Sequence, residues 1–423
     1  MTRSRIARVH VTPVAFSDPP LLNVVGVHQP WALRAIVEVH TDEGSLGLGE
    51  TYADEAHLAR LEAVAAALPG HDPYDLHGLR ALVDETLGRE VGGAGASFGG
   101  MLDVRSAVDT VYSPFEVACL DVQGRETDRP VSDLLGGAVR DRVPFSGYLF
   151  YKWAGHPGAA DDAWGAALDA DGIVAQAKTM VDAYGFSALK LKGGVLAPEE
   201  EVEAILALRR EFPDHPLRLD PNAAWTVETS IGVGRALDGV LEYLEDPTPS
   251  ISGMAAVRRE VPMPLATNMC VVSFDDVPAA VREGAVDVIL SDHHFWGGLR
   301  RSQGLAAITE TFGLGLSMHS NSHLGISLAA MVHLAAATPN LDYACDTHWP
   351  WKSESEDVVV PGVLSFDGGS VTVPTTPGLG VELDRDRLAV LHEQYVACGL
   401  RNRDDTGYMR RFEPDFDPSP QRW

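Results

Sequence analysis

Hydrophobic and polar residues alternate with the two-residue period of β-strands at the start of the chain, and the spacing then becomes helical. The predicted elements are strands over 6–16 and 34–40, a strand that ends at Thr51, and helices over 56–68 and 113–126. Strands that come first and helices that follow them are typical of a compact α+β unit. We therefore predict an N-terminal α+β capping domain over residues 1–140.

Near residue 143 the pattern changes to strands that alternate with helices. A strand over 144–151 precedes a segment rich in Gly, Ala and Asp at 154–172, which predicts a long loop that shapes a site. The predicted helices after this loop cover 173–184, 198–211, 228–240, 252–260, 276–283, 300–312 and 323–337. This alternation predicts a catalytic (β/α)8-type TIM barrel over 141–355.

After Trp351 the chain returns to short strands and Gly-Pro turns, with one further helix near 385–397. We expect residues 356–423 to pack back on the capping domain and complete it. The predicted fold class is α/β: a modified TIM barrel with an N-terminal α+β capping domain that the C-terminal segment completes.

Polar, reactive residues recur along the predicted barrel at nearly constant intervals. They are Lys192, Asp220, Glu245, Asn268, Asp292 and His319. Successive members lie 23 to 28 positions apart, which is about the length of one strand, one helix and two loops. The spacing predicts that all of them lie at the carboxyl ends of consecutive parallel strands and converge on one rim.

Asp220, Glu245 and Asn268 offer only oxygen ligands, which suits Mg²⁺ better than zinc. Taken singly, each could equally be a polar strand end or a helix cap. Three such residues on successive strands favour a metal site.

Lys190 and Lys192 are two positions apart and so point to the same side of one strand. Inside a barrel, their crowding would lower the pKa of at least one of them toward neutrality and make it a general base. The alternative is an outward pair on a solvated edge, which the apolar neighbours Ala188, Leu189 and Leu191 disfavour.

His319, with the carboxylate of Asp292 on the preceding strand, is the second candidate base, because such a carboxylate fixes the tautomer of the ring. The nearby His293, His294 and His323 are assigned helix or loop roles. Two opposed bases beside a metal ion fit abstraction of a proton α to a carboxylate, with the ion and a lysine stabilising the developing ene-diolate.

The composition narrows the possible partners. A net charge of −27 argues against binding to nucleic acid. If the substrate is an anion, local cations or a metal ion must attract it. The acidic composition can equally serve solubility alone. No run of 18 apolar residues and no signal-peptide pattern is found. Four cysteines without paired spacing are typical of reduced thiols, and we expect a cytoplasmic protein that does not bind membranes.

Several motifs in this order resemble the mandelate-racemase-like branch of the enolase superfamily and, within it, the glucarate dehydratases. They are Leu189-Lys190-Leu191-Lys192-Gly193-Gly194-Val195-Leu196-Ala197, Asp292-His293-His294-Phe295-Trp296, His319-Ser320-Asn321-Ser322-His323, Asp346-Thr347-His348-Trp349, Pro377-Gly378-Leu379-Gly380-Val381-Glu382 and Arg403-Asp404-Asp405. The resemblance covers nearly the whole chain.

The resemblance implies dehydration of D-glucarate, an aldarate dianion, to 5-keto-4-deoxy-D-glucarate with Mg²⁺ as cofactor. It implies metal ligation by Asp220, Glu245 and Asn268. The implied catalytic residues are Lys192, His319 with Asp292, Lys190 beside the carboxylate, and Asn222 as a polar contact. The implied substrate-binding residues are Asn23, His28, Tyr148, Ser320, Asn321, His348 and Arg403. By analogy, a homo-oligomer is expected.

One segment departs from that pattern. The stretch 248–253 is shorter than in glucarate dehydratases and contains no acid, while Glu260 is too far along the next helix to replace it. The substrate is therefore left more open than the reaction class. Two alternatives stay open. The first is an enzyme that epimerises an acid sugar or dehydrates a different one. The second is a catalytically silent relative that serves as a binding or structural protein.

Overall fold

The N-terminal part of the chain forms a small antiparallel sheet covered by helices. The structure is a computed structural model that describes residues 4–88, 107–419 and 422–423. The strands are β1 (Ile6–Ser17), β2 (Leu22–Asn23), β3 (Gly26–Val27), β4 (Trp31–Thr41) and β5 (Leu46–Tyr52). The sheet order is β1-β4-β5, and β2 and β3 form a separate hairpin.

Four helices follow, namely α1 (Glu55–Ala67), α2 (Leu76–Leu87), α3 (Ala107–Thr127) and α4 (Val131–Leu134). Helix α3 lies so close to β5 that a Cβ atom on Gly47 would stand 2.0 Å from the carbonyl oxygen of Ala118. A Cβ atom on Gly49 would stand 2.1 Å from that of Pro114. The Gly-Leu-Gly sequence of β5 is thus what lets the helix pack on the sheet.

Eight parallel strands form the second part. They are β6 (Arg142–Phe150), β7 (Leu189–Lys192), β8 (Leu217–Asp220), β9 (Tyr243–Glu245), β10 (Leu265–Thr267), β11 (Val288–Ser291), β12 (Gly315–Met318) and β13 (Cys345–Thr347). Consecutive strands from β6 to β12 pair in parallel, and β13 returns to pair with β6. The backbone N–H of Asp342, just before β13, donates to Leu316 O of β12 at 3.2 Å. This α/β order is the one predicted from the sequence.

Helices connect these strands along the chain. They are α5 (Ala170–Tyr184), α6 (Pro198–Glu211), α7 (Val227–Ala236), α8 (Ile251–Arg258), α9 (Val277–Glu283), α10 (His293–Trp296), α11 (Leu299–Phe312) and α12 (Gly325–Ala336). The spacing predicted all but the short α10, with ends shifted by a few residues. In the described residues, no helix is long and apolar enough to cross a membrane.

The C-terminal segment contributes β14 (Phe366–Asp367), β15 (Ser370–Thr372), α13 (Arg385–Cys398) and α14 (Asp405–Met409). Strand β15 pairs with the first residues of β6, whereas α13 packs on β1, where His392 Nδ1 lies 2.7 Å from Pro13 O. The segment thus contacts both parts of the chain. The domain boundaries at 140 and 355 stay a prediction, and the stretch 89–106 of the first domain lies outside the described residues.

Candidate active site

The six regularly spaced polar residues all lie at one end of the parallel strands. Lys192, Asp220 and Glu245 are the last residues of β7, β8 and β9, and Asn268 directly follows β10. Asp292 and His319 directly follow β11 and β12. All six are buried. The strand register places Lys192 opposite Asp220, so the alternation in the sequence brings these side chains to one rim.

Lys190 lies at the centre of a carboxylate cluster. Its Nζ is 2.7 Å from Asp346 Oδ2, 2.7 Å from Glu245 Oε2 and 3.5 Å from Asp220 Oδ2. Burial acts to lower the pKa of this ammonium, but Asp346 and Glu245 outweigh it and hold the pKa well above its usual range. Crowding was predicted to lower the pKa of at least one of the two lysines; Lys190 shows the opposite shift, because carboxylates surround it.

Lys192 faces the same side and contacts the rim of the cluster. Its Nζ donates to Asp220 Oδ2 at 2.8 Å and to Asn222 Oδ1 at 2.6 Å. The Tyr148 hydroxyl donates to the same Asp220 oxygen at 3.0 Å, and the Tyr148 ring lies 4.6 Å from Lys190 Nζ and 5.7 Å from Lys192 Nζ. Asp220, Asn222 and Tyr148 therefore hold the lysine head group in place.

The three predicted metal ligands are neighbours. Asn268 Nδ2 donates to Glu245 Oε1 at 2.8 Å, and Lys190 approaches both Glu245 and Asp220. Asp246, which adjoins Glu245, accepts from Asn268 N–H at 2.7 Å and from the Thr267 hydroxyl at 2.6 Å. The buried carboxylate of Asp246 thus positions the backbone that carries Asn268.

The donor set and the charge of this cluster fit a divalent cation. Three buried carboxylates (Asp220, Glu245 and Asp346) lie at ion-pair distance from the buried ammonium groups of Lys190 and Lys192, and a fourth, Asp246, is buried next to Glu245. Arg218, 3.7 Å from Asp346, is itself paired with Glu242. Glu245 Oε2 lies at ion-pair distance from Lys190, but no donor in the described part of the chain is aligned for a hydrogen bond to it. Burial, together with Asp220 and Asp346, raises the pKa of Glu245 well above its usual range. Added positive charge would relieve this excess.

His319 is oriented by a carboxylate, as predicted. Its Nδ1 lies 3.0 Å from Asp292 Oδ2, which leaves Nε2 as the ring nitrogen available to a substrate. His294 Nδ1 lies 2.7 Å from the other oxygen, Asp292 Oδ1. Although Asp292 is buried, the two histidines lower its pKa well below the usual range. His294 does lie in the short helix α10, but it also takes part in this hydrogen-bonded group.

Both candidate bases line one cavity of about 260 Å³, together with six other residues. These are Asn23, His28, Tyr148, Phe150, Asn321 and His348. The structure thus brings five of the seven predicted substrate-binding residues together with Lys192 and His319. Asn23 Nδ2, in a buried side chain, has no hydrogen-bond partner among the residues that the structure describes.

The remaining two predicted substrate-binding residues lie beside this cavity. Ser320 Oγ is 3.4 Å from His348 Nδ1, and Ser320 lines an adjoining cavity of about 240 Å³. Arg403 pairs with Asp405 at 2.8 Å and lines a third cavity of about 340 Å³. Asn321 borders all three cavities, so it marks the point where they adjoin.

Residues outside the predicted set also belong to the site. Asp346 forms an ion pair with Lys190. The sequence did offer an indication of this residue, because Asp346 lies two positions before His348 in the same motif. Arg34, in β4, contacts His294, with 3.0 Å between Arg34 Nη2 and His294 Nε2. Nothing in the local sequence of β4 indicates this contact. Glu260, set aside on distance in sequence, pairs with Arg235 at the protein surface.

Comparison with known proteins identifies the family of this chain. The profile of the family described as Enolase C-terminal domain-like matches residues 172–387. A probable glucarate dehydratase from Streptomyces coelicolor is 53% identical, over 100% of both chains. An enolase from Mycobacterium smegmatis complexed with tartrate is 67% identical with a TM-score of 0.96, covering 100% of this chain and 99% of that one. An enolase from Gibberella zeae complexed with magnesium, formate and sulfate is 60% identical with a TM-score of 0.98, covering 100% and 98%. The chain belongs to the enolase superfamily.

Proposed function

We propose that the protein is a Mg²⁺-dependent acid-sugar dehydratase that converts D-glucarate to 5-keto-4-deoxy-D-glucarate. The observation that carries the proposal is that Lys192 and His319 line the same cavity beside the oxygen-rich cluster of Asp220, Glu245 and Asn268. The proposal takes the eight parallel strands to form the modified (β/α)8 barrel predicted from the sequence.

The relatives support the acid-sugar substrate class. The Streptomyces relative is named a probable glucarate dehydratase, and the Mycobacterium structure holds tartrate, a hydroxylated dicarboxylate. The Gibberella structure holds magnesium. These properties belong to those proteins, and their high identity to this chain makes the same chemistry the first one to test here.

The carboxylate cluster, with the ion that it would hold, and Lys190 would stabilise the negative charge of the reacting substrate. Asp220, Glu245 and Asn268 would hold Mg²⁺, which supplies positive charge beside the substrate carboxylate when it is bound. Lys190, with a pKa raised by Asp346 and Glu245 despite burial, stays protonated. It is therefore a donor to the carboxylate whose negative charge grows as the α-proton leaves, and it is not a base.

Proton transfer falls to the two residues that reach the cavity. His319 presents Nε2, because Nδ1 is engaged with Asp292. Lys192 is held by Asp220 and Asn222. One of them removes the α-proton, and the β-hydroxyl departs as water once an acid has protonated it. Asn23, whose Nδ2 has no hydrogen-bond partner among the described residues, would bind substrate oxygens together with His28 and Asn321.

The test incubates the purified protein with a panel of acid sugars in D₂O, with Mg²⁺ or with EDTA, and follows the products by proton NMR. We expect a keto-deoxy product from D-glucarate only when Mg²⁺ is present. Turnover of another acid sugar but not of D-glucarate would contradict the substrate, and no turnover of any of them would contradict the reaction class.

Epimerisation is the second candidate, because two bases on one cavity can equally exchange a proton between two faces. Deuterium incorporation at the α-carbon without loss of water would establish it. The same NMR spectra distinguish the two outcomes.

A further inference from the structure

Two histidines share the carboxylate of Asp292. Oδ2 lies 3.0 Å from His319 Nδ1. Oδ1 accepts the backbone N–H of His294 at 2.9 Å and lies 2.7 Å from Nδ1 of the His294 ring. The proposed chemistry uses His319, whereas His294 contacts the other carboxylate oxygen. His294 does not line the cavity of the two bases but lines the adjoining one, together with His319.

Arg34 determines the tautomer of His294. Its Nη2 lies 3.0 Å from His294 Nε2, and a guanidinium can only donate. Nε2 must therefore accept, and the proton of the neutral ring is on Nδ1, where it is donated to Asp292 Oδ1. The Ser327 hydroxyl lies 3.0 Å from the same Nε2 and accepts from Arg34 Nη2 at 3.1 Å, so it reinforces this arrangement.

Arg34 is in turn fixed by the N-terminal sheet. Its Nε donates to Glu50 Oε1 of the adjoining strand at 2.9 Å. The Glu50 carboxylate accepts the backbone N–H groups of Leu324 and Ser327, each at 2.8 Å. Arg34, Glu50, His294 and Asp292 are all buried. A buried chain of hydrogen bonds therefore joins the sheet before residue 53 to the ring of His319.

We propose that Arg34 and His294 are positioning residues for the base His319, acting through Asp292. The inference rests on the proposed function, in which His319 exchanges an α-proton. Because Asp292 accepts bonds on both oxygens, its carboxylate plane is fixed, and the His319 ring is fixed with it. Loss of the Nδ1 proton of His294 leaves Oδ1 with the backbone N–H of His294 as its remaining donor from this residue. The carboxylate can then rotate about that bond, so that His319 Nε2 moves away from the substrate carbon.

Two substitutions of His294 separate the two ends of the ring. In His294→Asn the side-chain NH₂ occupies the place of Nδ1 and still donates to Asp292. In His294→Gln the side-chain oxygen can still accept from Arg34, but the donor to Asp292 is lost. The measured quantity is the rate at which the α-proton exchanges with D₂O, for D-glucarate and for the epimer of D-glucarate at the same carbon. The two epimers present this proton on opposite faces, and each of the two bases serves one face.

For His294→Gln we expect exchange at the face that His319 serves to fall about 100-fold, the effect of a misplacement of about 1 Å. Exchange at the face that Lys192 serves stays at the wild-type rate. His294→Asn retains most of the activity at both faces. An equal loss at both faces in His294→Gln would show a merely structural role, and no loss at either face would also overturn the proposal.

The tautomer is measured without any activity. In ¹⁵N-histidine NMR spectra near neutral pH, His294 is expected to carry its proton on Nδ1 and to lose this preference in Arg34→Met. A wild-type His294 protonated on Nε2 overturns the inference even if the protein acts on no acid sugar. Absence of exchange with every acid sugar, with His294 protonated on Nδ1, overturns only the proposed function.

Discussion

The two sides of the reaction cavity hold their bases by different physical means. On the lysine side, Lys190 and Lys192 are held by ion pairs of 2.7 to 2.8 Å with carboxylates on β8, β9 and β13 of the same parallel sheet. On the histidine side, His319 is held by Asp292, His294 and Arg34, a chain that ends in the N-terminal sheet. The lysine side is organised by charge within one set of strands. The histidine side is organised by directional hydrogen bonds between two parts of the chain.

This difference explains why the two sides should respond to different changes. Ion pairs tolerate small movements, since Coulomb energy varies slowly with distance, but they need balanced charge. Hydrogen bonds to an imidazole need the right tautomer and direction. We therefore expect the lysine side to be sensitive to the metal and to charge, and the histidine side to be sensitive to geometry.

The largest effect is expected from removing one base at a time. Lys192→Met should reduce α-proton exchange at one face of the substrate by roughly 10²–10⁴-fold, the usual contribution of a general base. His319→Asn should do the same at the other face, and each variant should keep the other exchange. Exchange rates come from NMR spectra in D₂O, and a variant that lost both exchanges would contradict the division between the two sides.

The next effect concerns stability on the lysine side. Lys190→Met leaves Asp220, Glu245 and Asp346 buried without their common ammonium group, so the free energy of unfolding should fall by about 3–5 kcal/mol. Lys178→Met is the matched control, since its pair with Glu211 is exposed, and it should cost at most about 1 kcal/mol. Urea unfolding measures both, and equal costs would argue against the buried cluster.

Magnesium should stabilise the protein through the lysine side alone. At 100 times its dissociation constant the ion should raise the free energy of unfolding by about 2.7 kcal/mol. Asp220→Asn should lose this increment, and His294→Gln should keep it. Unfolding curves with Mg²⁺ and with EDTA give the increment for each variant, and an undiminished increment in Asp220→Asn would exclude that carboxylate as a ligand.

The smallest effect is a pair of opposite pH dependences. Burial lowers the pKa of His323, beside the histidine side, to about 4. Between pH 6.5 and 4 the unfolded chain therefore binds a proton that the folded protein does not, and stability falls as the pH falls. His323→Asn should remove this contribution, which amounts to roughly 1 kcal/mol for each pH unit between 6.5 and 4.

On the lysine side the sign is reversed. Burial raises the pKa of Asp246 to about 7. In metal-free protein its contribution to stability is complete below pH 3.8 and is lost as the pH rises through 7. Because the two contributions cover the same pH range with opposite sign, the wild-type curve shows their sum. Denaturant unfolding between pH 4 and 7 in EDTA should therefore show stability rising less with pH in His323→Asn and rising more in Asp246→Asn. The same change of slope in both variants would contradict the assignment.

The sequence predicted the strand-end residues well because parallel strands have a simple register. Every member from Lys192 to His319 lies at or directly after a strand end, as the spacing of 23 to 28 residues required. The predicted strand order was also found. Helix α2 was missed: it has Gly78 in its first turn, where Asp75 caps the backbone, and a glycine there weakens the helical pattern.

The contacts that decide the chemistry of each base were beyond local patterns. Asp346 reaches Lys190 across 156 positions, because β13 returns to β6. The sequence showed two lysines on one side of a strand but not this carboxylate, so we predicted a lowered lysine pKa. In the structure, the surrounding carboxylates raise the pKa of Lys190. Arg34 and His294 are 260 positions apart, and no periodicity in either segment indicates their contact. Sequence spacing thus located the candidate groups, and tertiary pairing determined their charge and direction.

The most direct test of the central claim is a crystal structure with Mg²⁺ and tartrate, a dicarboxylate that stands in for one end of the aldarate. We expect the carbon next to the ligand carboxylate to lie between Lys192 Nζ and His319 Nε2, within about 3.5 Å of each. We also expect Mg²⁺ on Asp220, Glu245 and Asn268. A ligand that contacts only one of the two bases, or a metal ion held elsewhere, would contradict the proposed arrangement of the site.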